Sequence, residues 1–370
     1  MPRPHPLPAA HKIDRTPPSL FPTTPVWTLA LNNQFTAPPG YDETRGYFTI
    51  EGDRIVAYEL VSGTQVWLVS ARPQMQPVVG GGLLFFVGSD ALTALKVTDG
   101  SIAWQLPFAE KLSVRPVWDN GWLVLSTEPG EILAFRGADG FLVWRRDLKS
   151  PAHALPALAA DRVYVPTTDN RIVALRIDTG ELLWERRLGG SPNEILALDH
   201  RVYAGAKDNF FYCLTAKDGR VAWRWRTGGD AIGLPISDQD RVYFVALDNV
   251  LRALDLKSGA QHWMRPLALR PAWGPVRAGS TLIVAGLTMS LPAFDMKDGK
   301  PAGDLATGGE VVAAPPHALE ESGTKTPMLL MVTHDIAKGA SASLIARSYE
   351  PTIAPVGTLP DLVSMTPPQP

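Results

Sequence analysis

One phrase is written three times in this chain. Arg162-Val163-Tyr164 returns as Arg201-Val202-Tyr203 and as Arg241-Val242-Tyr243. Asp169-Asn170 returns as Asp208-Asn209 and Asp248-Asn249, and the pair Gly180/Trp184 as Gly219/Trp223 and Gly259/Trp263. Every copy follows the last at the same period, about 40 residues, the length of one supersecondary unit in a repeat protein. A chain built this way stacks like units side by side, because no single unit can bury its own apolar face. Each unit is written in β language, as short β-branched runs closed by Asp-Asn or Asp/Ser/Thr-Gly turns. Four such runs fill one period, which makes one propeller blade.

Two ladders give the number of blades. Trp67, Trp104, Trp144, Trp184, Trp223 and Trp263 each lie four residues after a glycine. That glycine supplies the positive φ of a tight hairpin, and the outgoing strand then offers its indole to a neighbour. Trp27 precedes Trp67 by one full period but has no blade before it. A lone outer strand over residues 25–30 is therefore expected to complete the last blade and close the ring. Proline recurs at Pro38, Pro77, Pro116, Pro156, Pro235, Pro275 and Pro315, and Ile195 stands at the one missing step. Proline cannot donate to a ladder, so it belongs on the free inner edge of each blade. The fold class is all-β, an eight-bladed propeller of four-stranded antiparallel blades. Seven blades is the alternative if the stretched region 311–349 fails to form one.

The cleanest unit, Ala253-Leu254-Asp255 through Gly259 to Trp263, carries Ala-x-Asp-x-x-x-Gly-x-x-x-Trp. It resembles the tryptophan-docking repeat of pyrroloquinoline-quinone-like (PQQ-like) β-propellers. Single-domain, eight-bladed members of that family resemble the propeller subunit of the bacterial outer-membrane β-barrel assembly machinery. The resemblance covers about residues 27–346. It implies a scaffold without catalytic residues that binds a protein partner through loops on one face, in the cell envelope. The N-terminus lacks the apolar core of a signal peptide, so the compartment stays open at this point.

Residues 1–24, rich in proline, read as an extended arm rather than a packed element, 25–349 as the propeller, and 350–370 as a Pro-rich disordered tail. The seventh unit has Gly303 where tryptophan is due, and the eighth has polar insertions at 314–327 and 334–342, both expected as loops. Lys+Arg 35 against Asp+Glu 37, with no long run of one sign, leaves nucleic acid no footprint. No apolar run is long enough to span a membrane. A monomer is expected.

Other members of the PQQ-like family are dehydrogenases that, by resemblance, use a vicinal cysteine pair, a calcium ion and a catalytic aspartate. This chain has one cysteine, Cys213, at a repeat position held elsewhere by alanine, where it reads as a buried small hydrophobe. The residues before the proline ladder are Gln76, Arg115, Leu155, Glu194, Leu234, Gly274 and Ala314, too few oxygens for a calcium cage. The seven histidines show no metal-ligand spacing, and no serine sits in a nucleophile elbow. The reading therefore names no catalytic residue, no cofactor and no metal. A small quinoprotein or ligand-binding sensor, with a molecule at the channel mouth, is the alternative.

What is left is surface. In a four-stranded blade, the link after the outer strand and the turn between the second and third strands share one face, here the loop face. The other face carries the stereotyped turns such as Asp178-Thr179-Gly180. Irregular segments on a rigid scaffold are where binding lives, and Trp and Arg are favoured anchors. Arg115 with Trp118, Asn193 with Glu194, and Arg270 with Trp273 are the candidate partner-binding residues. Two aromatic–Arg clusters flanking an acidic loop suit an extended protein or peptide segment.

Overall fold

The computed structural model describes residues 17–31, 33–198, 200–320, 326–335 and 339–347. The expected tail and most of the expected arm lie outside them. The described residues form eight antiparallel sheets in sequence order, seven of them with four strands. Blade 1 runs Phe35–Tyr41, Arg45–Ile50, Arg54–Glu59, Gln65–Ser70, with the first strand innermost. Blade 8 closes the ring: Thr23–Ala30 is its outer strand, with Thr24 opposite Ala346 and Trp27 opposite Leu344. The proline ladder lies on the inner edge. Pro38, Pro116 and Pro235 sit in inner strands, while Pro77, Pro156 and Pro275 immediately precede short ones.

Blade 8 is more regular than its sequence suggests. The stretch 334–342 reads as a loop in sequence, but Pro327–Asp335 and Gly339–Arg347 pair as far as Asp335 opposite Gly339. In Ala340-Ser341-Ala342-Ser343-Leu344 the small apolar residues alternate inward and are buried. Serine-rich composition reads as loop; period-2 alternation makes a strand. Within 314–327, His317–Glu320 is likewise a strand, paired with Pro327–Leu330. Together with Val311–Val312 it forms an inner strand broken at Pro315-Pro316.

The tryptophan ladder fixes each blade to the next. Indole Nε1 of Trp27, Trp67, Trp104, Trp144, Trp184, Trp223 and Trp263 donates, at 2.6–3.2 Å, to a carbonyl just before the third-to-fourth-strand turn of the following blade. Gly219 lies against the ring of Trp184, where a Cβ would come within 2.5 Å, and holds φ +67°. Residues of the repeated Arg-Val-Tyr unit reach the same carbonyls. Arg162 donates to Ala216 O, Tyr203 to Leu256 O, and Arg241 and Tyr243 to Met296 O. One turn carbonyl therefore receives two or three donors from the blade behind it.

The junction from blade 7 to blade 8 differs, for a topological reason. In blade 8 the third strand is C-terminal and the fourth N-terminal, so no covalent turn joins them and an indole would have nothing to dock on. Gly303 stands there instead, and the ring of Phe21 occupies the vacated space, 2.4 Å from where its Cβ would be. Leu20 is fully buried among Ile283, Leu291 and Leu305, and Ser280 N donates to Pro18 O at 3.0 Å. The end of the expected arm is thus a packed element from Pro18 onward. Cys213 is fully buried, and burial pushes its thiol up to about 11.

Candidate functional site

Inner strands line the central channel, and several carry a β-bulge at the same height. The register slips between Ala37 and Gly40, Val114 and Val117, Pro192 and Ile195, and Ile232 and Ile236. A bulge re-aims the side chains it carries. Arg115 and Glu194 stand at such bulges in blades 3 and 5, and Leu234, 45% exposed, in blade 6. With only blade 4 between them, Arg115 and Glu194 lie on the channel side close enough for each charge to act on the other.

Both are half-buried. Burial pulls the Arg115 guanidinium down and pushes the Glu194 carboxyl up, and the charge of each partly offsets the shift of the other. They make no direct ion pair. The only hydrogen bond of Arg115 among the described residues is a long one, 3.4 Å, to Pro116 O. Asn193 is spent on structure, donating its side-chain amide to Ala231 O of the next inner strand. Gln76 does the same, donating to Pro39 O at 2.7 Å.

The expected Arg115/Trp118 cluster on the loop face does not form. Trp118 lies opposite Leu123, beside the first-to-second-strand turn, and therefore on the turn face. Its ring covers Gly80, where a Cβ would fall 2.0 Å from the indole. Three residues of strand span about 10 Å, which carries 115 and 118 toward different ends of the channel. What the structure brings to Arg115 is Glu194.

Arg270 and Trp273 belong to the link into blade 7. Arg270 is exposed, while Trp273 is half-buried against the blade 7–8 core. The link is pinned to the second-to-third-strand turn of its own blade by a bridge between Pro271 and Gly286, and by Ala272 N donating to Ala285 O at 3.0 Å. That turn carries two residues the sequence reading passed over, Leu287 and Met289, 80% and 70% exposed. One signal was available: Met289 stands where blades 4 to 6 carry the asparagine of Asp-Asn. The Asp-Asn pairs are turn chemistry, with Asn170, Asn209 and Asn249 at φ 72°, 61° and 59°. Among the described residues, no group of three or more His, Cys, Asp or Glu could hold a metal ion.

The family model described as outer membrane protein assembly factor BamB matches residues 22–115, 90–207 and 196–312, most of the ring. The chain belongs to the BamB family. One curated relative, the outer membrane protein assembly factor BamB of Nitrosomonas eutropha, is 29% identical over 113 residues. That match spans 30% of this chain and 28% of the relative, well under two thirds of its length. The crystal structure of BamB from Moraxella catarrhalis superposes with a TM-score of 0.67 at 18% identity, covering 87% of this chain and 97% of that one. A europium-containing methanol dehydrogenase superposes with a TM-score of 0.69 at 12% identity, covering 88% and 93%. A factor and an enzyme fit this BamB-family ring equally well, so the likeness to solved structures speaks for the fold and not for the chemistry.

Proposed function

We propose that this BamB-family propeller is a non-catalytic scaffold of the cell envelope. It holds a protein or peptide partner on its loop face and channel mouth, in the assembly of outer-membrane proteins that the family's description names. The observation that carries the reading is the asymmetry of the two faces. Turn-face donors are consumed in joining blade to blade, whereas Arg115, Glu194 and Arg270 break the repeat and keep most of their bonding capacity. Asn193 and Trp273 frame them. Trp118, at the other end of its blade, is left out of the surface.

The test is affinity capture from cells that make the protein, comparing wild type with Arg115→Ala, Glu194→Ala, Arg270→Ala and Trp273→Ala, beside Trp184→Ala as a stability control. Anchors of a partner should each cost about 1–3 kcal/mol of affinity. Melting should change less than for Trp184→Ala. Unchanged capture of every co-purifying protein by all four loop-face variants would refute this surface.

A further inference from the structure

We infer that the loop-face end of the seam between blades 7 and 8 docks a segment of another protein that presents apolar side chains beside a carboxylate. This rests on the scaffold reading and narrows it to one sector and one chemistry. Leu287 and Met289 are the most exposed large apolar side chains among the described residues, and both sit on one turn. Thr307, the first residue of the link from blade 7 into blade 8, donates from its backbone N and its Oγ1 to Met289 O, each at 3.1 Å. Four residues on, Val311 starts the inner strand of blade 8 and is 48% exposed. Isolated exposed apolar residues need no explanation, but Leu287 and Met289 share one turn, and Met289 is joined through Thr307 to Glu310, the residue before Val311, so the three form a patch.

A single residue shortens the strand that leads to this turn. Pro292 stands in the third strand of blade 7 where other blades carry Val56, Thr93, Leu133, Val173, Tyr212 and Arg252. Its carbonyl accepts from Val284 N at 3.1 Å, but it has no N–H to return. The paired second strand therefore stops at Ile283, opposite Ala293, whereas in blades 5 and 6 it runs on to Ala206 and Ala246. Leu287 and Met289 stand in the turn that follows this shortened strand, and both are exposed.

Charge selects the occupant. Arg270, whose link is bonded to this turn, is exposed and has no partner among the described residues. The neighbouring carboxylate of Glu310 is already engaged by the Thr333 hydroxyl. An apolar patch with one free cation fits a segment that brings a carboxylate. Attachment to an anionic lipid surface calls for a cluster of several Lys and Arg, which the described residues of this sector do not form.

The test uses the full chain and fluorescence anisotropy. The probes are two labelled, end-blocked peptides, one alternating leucine with aspartate and the other leucine with lysine. Wild type should bind the aspartate peptide saturably and the lysine peptide at least about tenfold more weakly. Leu287→Ser/Met289→Ser should weaken the aspartate peptide at least about tenfold, and Arg270→Ala should narrow the difference between the peptides. Because these side chains are exposed, melting should stay within about 1 °C of wild type. Absence of saturable binding, equal binding of both peptides, or indifference to the variants overturns the inference. So does co-sedimentation with phosphatidylglycerol vesicles that depends on Leu287 and Met289 while the peptide fails. Partner capture in the same preparations separates the two readings. If capture survives Leu287→Ser/Met289→Ser but is lost with Arg115→Ala or Glu194→Ala, the scaffold stands and this sector falls. If no loop-face variant changes capture, both fall.

Discussion

Removing the two side chains with which the N-terminal segment closes the last junction should loosen the ring although the outer strand of blade 8 stays intact. Leu20 is fully buried, in contact with the blade 7–8 core. Cutting such a leucine to alanine costs about 3–5 kcal/mol, because the transfer free energy is lost and a cavity remains. Phe21 is half-buried over Gly303, so Phe21→Ala should cost roughly half the 3–5 kcal/mol of a fully buried phenylalanine, about 2 kcal/mol. A propeller of this size has an unfolding entropy on the order of 0.7 kcal/mol/K, so the double variant should melt about 7–10 °C below wild type. The sites touch, and their effects should not be strictly additive. Calorimetry and urea titration measure the loss, and limited proteolysis should show new cleavage near Gly303. If the ring were closed by the pairing of 23–30 with 339–347 alone, the double variant would melt within about 2 °C of wild type. That result would refute the reasoning.

Two further outcomes are expected. Gly80→Ala drives a Cβ into the Trp118 ring and should cost about 1–3 kcal/mol; adding Trp118→Leu should restore most of it, and simple additivity in the melting temperatures would contradict the contact. Glu194 has a carboxyl pKa raised by burial and only partly restored by Arg115. The stability tied to it is full below the ordinary carboxylate range and is lost as pH rises through the raised value. Urea midpoints of Glu194→Gln should therefore gain on wild type from mildly acidic to neutral pH, and profiles that stay parallel would show that Glu194 is not shifted.

How much of this was legible beforehand follows from where the information lies. The repeat period, the Gly–Trp spacing and the proline ladder are local and recur along the chain, so they specified blades, their number, and even closure through Trp27. Each rests on backbone rules that act within a few residues: a hairpin turn, an indole four residues on, a proline on a free edge. The strands at 334–342 were hidden because composition and periodicity disagree there, and burial of alternate alanines decided the matter. Where Phe21 would go could not be read from residue 21. It depends on a gap left by Gly303, near the other end of the chain, at the one junction where chain topology removes the docking turn. The site divides in the same way. Arg115, Glu194 and Arg270 stood out in the sequence as breaks in a regular pattern. That Arg115 is coupled to Glu194 and not to Trp118 has two causes: the curved ring brings the inner strands of blades 3 and 5 near one another around the channel, and the rise of a strand carries 115 and 118 apart. The sequence alone determined the blades; only the closed ring decided which side chains meet, because residues far apart in the chain become neighbours only when the circle is complete.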